Sequence, residues 1–542
     1  MKKPPLAAVI DIGSGAVRMQ IAQVVRDAAA PEAMHYLENV SYPLSLGRDT
    51  FTTGKISFDK VDKACALIKN FLHLAKGYGV RAGNVRTVAS TAIREAGNIN
   101  YILDQIKIKT GVDVHVMDDL EEKRYIYKLL AHYSEDLLKK SAVIVYIGTG
   151  SIGVNLITDG KMPRTWNIRV GSLRMSELFG DLQDYTREFY RLMEEYLAGF
   201  TYKLSDELPA GIKHFIVTGQ DTDTIVALQA ATPALQAATS GTYGEGLLSR
   251  LEAGSDVVAS QWAAFDAPVF DFPRKDFEAF YEKIKRKTPD RISADYNIDA
   301  EKAESILPAA CIFHNLLACT DARAITASRM LPSDAVLFET LHPKRFAAID
   351  KRFDQGTQLS AKELAKRHRA NIPHGELVQS FAAMIFARLR KLHGLGKRDE
   401  LLLDVAAYLH DIGESVNTLD HHKISHELIR RSDIVGLTQA EQEIVALICR
   451  NHTGAPRLSN SLPPEATVRI SKLAAMLRLA DAMDRSHTQK SARAEARFSE
   501  NTLLITLFSE KSMALEQWAF RDKARFFEEV FGIKAELRVK KV

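Results

Sequence analysis

Two stretches of this chain place glycine and hydroxyl side chains at the tip of a tight turn between apolar runs. The first is Val9-Ile10-Asp11-Ile12-Gly13-Ser14-Gly15-Ala16-Val17-Arg18-Met19-Gln20-Ile21. The second is Ile144-Val145-Tyr146-Ile147-Gly148-Thr149-Gly150-Ser151-Ile152-Gly153-Val154-Asn155-Leu156. Each reads as strand, turn, strand, hence a β-hairpin. Glycine lets the backbone approach a ligand closely, and N–H groups of such a turn can ring a phosphate oxygen. A duplicated pair implies two related lobes with a phosphate held between them. The copies differ at one chemically important position, where Asp11 is matched by Tyr146. A second reactive set lies downstream: His374, the adjacent His410 and Asp411, and Asp481 in Leu479-Ala480-Asp481-Ala482-Met483-Asp484. Imidazole and carboxylate together suit Zn, Mn, Fe or Mg, and a bound metal can acidify water into a nucleophile. His421, His422, His426 and His452 add candidate contacts to a second metal or to phosphate.

The elements that must position these residues change character along the chain. After the opening hairpin, Ser57 caps a predicted helix with Val61, Cys65, Ile68 and Leu72 on one face. A strand is expected at Val85–Ala89, then a turn at Ser90-Thr91 and a charged pair Arg94-Glu95. Glu121 and Glu122 open a helix running towards Leu130. A long amphipathic helix is expected near Tyr185–Tyr202, and a strand at Phe215–Gly219. This alternation argues for α/β lobes. From about residue 345 the strand signals vanish and helical periodicities rich in Ala, Leu, Arg and His continue to about residue 488. Alternation returns at Leu503–Leu507 and Ala535–Val539, with a helix between. The expected domains are therefore residues 1–138 and 139–344 (two α/β lobes), 345–488 (all-α) and 489–542 (small α+β).

Composition narrows the class. At 542 residues, 46% hydrophobic and 26% charged, the chain has the balance of a soluble multidomain protein. A net charge of +4 is compatible with an anionic substrate. Cys65, Cys311, Cys319 and Cys449 show no CxxC spacing, which fits core thiols in a reducing compartment. No apolar run reaches membrane-spanning length, and Met-Lys-Lys-Pro-Pro leads straight into a strand without a signal-peptide core. The expectation is a cytoplasmic protein without membrane or sequence-specific nucleic-acid partners.

Asp11-Ile12-Gly13-Ser14 with Val17-Arg18 resembles the opening of the exopolyphosphatase/guanosine pentaphosphate phosphohydrolase family. The likeness continues through Ala89-Ser90-Thr91-Ala92-Ile93-Arg94-Glu95-Ala96-Gly97-Asn98, Glu121-Glu122-Lys123-Arg124, Gly148-Thr149-Gly150-Ser151 and Arg169-Val170-Gly171-Ser172-Leu173-Arg174. It reaches Glu516-Gln517-Trp518 and Phe531-Gly532 near the end. The resemblance implies duplicated actin-like (ribonuclease H-like) α/β lobes, followed by an all-α HD-type domain and a small C-terminal α+β unit. It implies Glu121 as the catalytic base, Asp11 as a Mg²⁺ ligand, and Arg18 and Arg94 as phosphate grips. Gly13, Ser14, Gly148, Thr149, Gly150 and Ser151 would supply the phosphate turns. The substrate or ligand would be inorganic polyphosphate or guanosine pentaphosphate, and a homodimer is implied.

The family's second hairpin reads Asp-Ile-Gly-Gly-Gly-Ser-x-Glu, so this chain has Tyr146 for the Asp, Thr149 for a Gly and Gly153 for the Glu. Gly15 replaces an Asn, Asp118-Asp119-Leu120 replaces Ser-Gly-x before the glutamates, and Thr218-Gly219-Gln220-Asp221 replaces a Gly-Gly-Thr turn. The order His374, His410-Asp411, Asp481 resembles the ligand set of HD metal-dependent phosphohydrolases. Three functions fit: a Mg²⁺-dependent phosphoanhydride hydrolase working between the lobes, a metal-dependent phosphohydrolase in the helical domain with the lobes as sensor, and a non-catalytic polyphosphate or alarmone binder.

Overall fold

The computed structural model describes residues 5–26, 31–133, 140–183, 189–219, 221–230, 269–455, 463–491 and 493–541. The chain divides into two compact units, Met1–Lys161 with Thr165–Lys351, and Met162–Arg164 with Arg352–Val542.

The first unit contains two mixed sheets with one plan. In the first, β1 (Leu6–Ile12) and β2 (Ala16–Arg26) form the opening hairpin, β3 (Pro31–Pro43) extends it, and β4 (Val85–Ala89) and β5 (His115–Val116) lie on the other side of β1. The order is β3-β2-β1-β4-β5, with β1 antiparallel to β2 and parallel to β4. The second sheet repeats this with β6 (Ala142–Ile147), β7 (Ile152–Thr158), β8 (Lys161–Ile168), β9 (His214–Gly219), β10 (Val269–Pro273) and β11 (Ala324–Ser328). Its order is β10-β11-β9-β6-β7-β8, with β6 antiparallel to β7 and parallel to β9. Each sheet has its own apolar core, one built around Ile10, Val17, Cys65 and Ile68, the other around Val145, Phe215, Phe277 and Phe313.

Local chemistry explains the differences from the expected elements. The helix Phe58–Gly77 begins where Ser57 predicts, but the Ser57 side chain makes no cap bond; its N–H instead donates to Asp49 at 2.9 Å. The helix Asp119–Tyr133 begins two residues before the Glu pair because Asp118 caps it, its Oδ1 accepting from the N–H groups of Leu120 and Glu121. The helix expected near Tyr185–Tyr202 runs over Phe189–Glu207; Tyr185 lies outside the described residues.

The second unit is mostly helical. Its main helices are Ile372–Arg388, Lys397–Leu409, His421–Arg430, Gln439–Arg450 and Pro464–Ala482. A three-stranded sheet, β12 (Arg493–Ser499), β13 (Thr502–Phe508) and β14 (Lys534–Lys540), packs with the helix Ala514–Phe531. Leu503, Ile505, Phe520 and Phe527 share one core with Phe381, Leu402 and Leu473, so the small terminal unit closes the helical core rather than forming its own. Among the described residues no helix is long and apolar enough to cross a membrane.

Candidate functional site

The two hairpin tips meet. Thr149 Oγ1 donates to Ser14 Oγ at 2.9 Å, tying one turn to the other. Between them lies a small cavity lined by Asp11, Gly13, Arg18, Ser90, Thr91, Met117, Glu122, Tyr146, Gly148, Thr149, Ser151, Leu331 and Pro332. Strand geometry puts Asp11 and Arg18 here, since they face each other across the β1–β2 ladder. The helix Asp119–Tyr133 aims Glu122 into the wall, with Ile126 and Leu129 on the same buried face.

The carboxylates are held by a small set of cations. Arg94 Nη2 donates to Asp119 Oδ1 at 2.5 Å, and Nη1 to Glu122 Oε1 at 3.2 Å and to the Met117 carbonyl at 2.5 Å. Asp119 also accepts from Ser151 Oγ at 2.9 Å and Asn167 Nδ2 at 3.2 Å. Burial alone would raise Asp119, but Arg94 and Lys123, with the Asn167 and Ser151 hydrogen bonds, keep it below the usual carboxylate range. Glu122 is pushed up to about 7 by burial, which outweighs the Arg94 charge. Burial also raises Asp11, against Arg18. Tyr146 Oη donates to Glu122 Oε2 at 3.4 Å, and burial beside that carboxylate keeps the phenol protonated.

The second unit collects histidines and carboxylates in its interior. His410, His421 and His452 each donate Nδ1–H to a backbone carbonyl three residues earlier, those of Ala407, Thr418 and Cys449, at 2.9, 2.7 and 2.6 Å. Their Nε2 atoms point inward. His374 Nε2 lies 3.3 Å from His410 Nε2, and His421 Nε2 lies 3.2 Å from His452 Nε2. His374 Nδ1 is anchored on Asp484 at 2.8 Å. Asp411 sits among them, 3.2 Å from His410 Nε2, 3.3 Å from His452 and 3.5 Å from His421. Asp481 Oδ1 is 3.5 Å from His374 and 3.8 Å from His410, while its other oxygen accepts from Lys523. A neutral imidazole that donates from Nδ1 has only a lone pair at Nε2. Paired Nε2 atoms at such distances therefore need a proton or a metal ion between them. Burial opposes a proton on His410, but Asp411 and Asp481 lift it to about 10, whereas burial takes His452 down to about 4. The donor set fits a divalent metal, with His374, His410 and Asp481 forming one group and His410, Asp411 and His452 another.

The chain matches the model of the Ppx/GppA phosphatase family over residues 22–343 and that of Ppx/GppA phosphatase, domain III, over residues 357–521. The chain belongs to the Ppx/GppA phosphatase family. It is 22% identical over 510 residues to the guanosine-5'-triphosphate,3'-diphosphate pyrophosphatase of Photobacterium profundum, covering 93% of this chain and 92% of that one. It is 28% identical over 119 residues to exopolyphosphatase 1 of Mycobacterium leprae, covering 22% of this chain and 33% of that one. Among solved structures, an exopolyphosphatase from Cytophaga hutchinsonii superposes with a TM-score of 0.49 at 18% identity, over 62% of this chain and 98% of the other. The Aquifex aeolicus Ppx/GppA family member gives 0.48 at 19% identity, over 63% and 98%.

Within this Ppx/GppA chain the expected residues do not all reach the cavity. Asp11, Gly13, Arg18, Gly148, Thr149 and Ser151 line it; Ser14, Gly150 and Arg94 do not. Arg94 is engaged by its own carboxylates, and the Gly13 and Gly148 N–H groups close their own turns on Ala16 and Ser151 at 2.9 Å. Glu121 stands apart from the cavity. It hydrogen-bonds to His115 at 2.7 Å and is absent from the lining, where Glu122 stands instead. The helical period carried that signal, because Glu122 shares its face with Ile126 and Leu129.

The expected Mg²⁺ at Asp11 also fits poorly. Mg²⁺ asks for several hard oxygen ligands in near-octahedral array. Asp11 and Glu122 are both pushed towards their neutral forms by burial, and Asp119 is spent on Arg94 and Asn167. No group of three candidate ligand atoms forms in the cleft among the described residues, and the matching position on β6 is a phenol. Gln220 of the third expected turn lies outside the described residues.

Proposed function

We propose that the cleft of this phosphatase-family chain hydrolyses terminal phosphoanhydride bonds of inorganic polyphosphate or guanosine pentaphosphate, with Glu122 as the base. The observation that carries the reading is the Glu122 carboxyl, raised to about 7 and set in the wall of a cavity bounded by both hairpin turns. A base tuned close to neutral pH can take a proton from water as it attacks phosphorus. Arg18 holds the phosphoryl oxygens, while Arg94 fixes Glu122 and Asp119 relative to each other. Tyr146 donates to the second Glu122 oxygen and fixes its orientation. The test is phosphate release from polyphosphate by Glu122→Gln and Glu121→Gln. Loss of ~10²–10⁴-fold in Glu122→Gln alone is expected. Wild-type turnover by Glu122→Gln would overturn the reading.

A second reading is favoured by the inward-facing Nε2 atoms. His374, His410, Asp411 and Asp481 would hold a divalent metal, with His421 and His452 beside Asp411. Such an ion supplies a hydroxide-forming water at neutral pH. In this reading the helical unit hydrolyses a phosphate ester and the lobes bind phosphate as a sensor. Metal content of the purified protein decides it: near-stoichiometric metal in wild type and loss in His410→Ala is expected, and equal metal in both would contradict it.

A further inference from the structure

Gly153 faces Tyr146 in the β6–β7 ladder. A Cβ on Gly153 would lie 2.5 Å from Lys123 Cε, 2.8 Å from Cδ and 2.9 Å from Cγ. The Lys123 stem thus runs across the bare backbone of residue 153, in the volume a side chain there would take. Lys123 is 4% exposed, and its Nζ donates to Asn167 Oδ1 at 2.6 Å. Asn167 donates in turn to Asp119, the carboxylate that accepts from Ser151 in the cavity lining.

The carboxylates in the cavity wall are each met by a guanidinium. Asp11 faces Arg18, Asp119 faces Arg94 and Lys123, and Glu122 faces Arg94. Asp334, which also acts on Asp11, accepts from Gln20 and Tyr36 at 2.8 Å and is offset by Arg329. A divalent ion is retained where carboxylates outnumber fixed cations; Asp11 and Glu122, the two in the lining, each have a guanidinium partner, while Asp221, buried outside it, accepts from Ser172 and Ser305 and also faces Arg18.

We propose that this cleft takes its phosphoanion without a divalent cation, and that Lys123 is the positioning residue whose ammonium fills the electrostatic place of the ion. Gly153 is what admits the lysine stem. The proposal rests on the cleft being a phosphate site, and it makes the anion, not a metal–anion complex, the species bound.

Titration calorimetry of the full chain with tripolyphosphate, in excess EDTA and then with Mg²⁺, tests it. Wild type is expected to bind in EDTA within ~threefold of its affinity in Mg²⁺, while Lys123→Met loses about tenfold or more in EDTA and Lys123→Arg recovers most of it. The double variant Lys123→Met, Gly153→Glu is expected to bind only with Mg²⁺. Binding by wild type only in Mg²⁺, or undiminished binding by folded Lys123→Met in EDTA, would overturn the proposal. Should Lys123→Met lose its native circular dichroism, the wild-type comparison decides alone. No binding in either condition would remove the phosphate reading of the cleft itself.

Discussion

In the cleft, Asp119 and Glu122 share one guanidinium, and a phenol donates to the remaining Glu122 oxygen. In the helical unit, Asp411 and Asp481 instead face imidazole Nε2 atoms whose other ring nitrogens are already committed. Both regions bury carboxylates, which is costly unless the charge is met. The cleft meets it with side chains that are always cationic, Arg18, Arg94 and Lys123. The helical cluster meets it with groups that switch between proton and metal. On the readings proposed above, the same residue classes yield a site for an anion and a site for a cation.

That contrast can be broken by single substitutions. The largest expected effect outside the reacting groups is at Asp484, which touches His374 Nδ1 and fixes that ring. Asp484→Asn should weaken metal affinity by ~10–100-fold while leaving phosphate binding by the lobes unchanged, measured by competition with a chromophoric chelator. Unaltered metal affinity would mean that His374 needs no orienting partner. A smaller effect, confined to the first unit, is expected at Gly219. Its φ of +133° is unsuited to other residues, and a Cβ would meet the Ile147 carbonyl oxygen at 2.0 Å. Gly219→Ala should cost ~2 kcal/mol or more in stability, read from denaturant unfolding, with metal content preserved.

The duplicated lobes were legible because a Gly-hydroxyl-Gly turn flanked by alternating apolar residues has few alternatives to a hairpin, and both hairpins form where expected. The strands β3, β5, β8, β10, β11 and β12 carry no comparable signal. The β3 sequence Pro31–Pro43 mixes charged and polar residues, and pairing with β2 decides its state. The order of His374, His410, Asp411 and Asp481 marked the helical cluster, yet nothing local tied Asp484 or Lys523 to it, since both act through tertiary contacts. Position in a motif favours Glu121, whereas helix periodicity favours Glu122, and the fold follows the periodicity. The role of Lys123 was invisible because it depends on the missing side chain at Gly153, on another strand.

The measurement that bears most directly on the cleft as a hydrolytic site is the pH dependence of phosphate release from polyphosphate. Glu122 must be ionised to accept a proton, and its carboxyl is raised to about 7. Below that value the rate should fall ~tenfold per pH unit, and above it the rate should level off, with the dependence abolished in the residual activity of Glu122→Gln. A wild-type rate that stays flat from about pH 5.5 to 8, or the same profile in Glu122→Gln, would contradict the account.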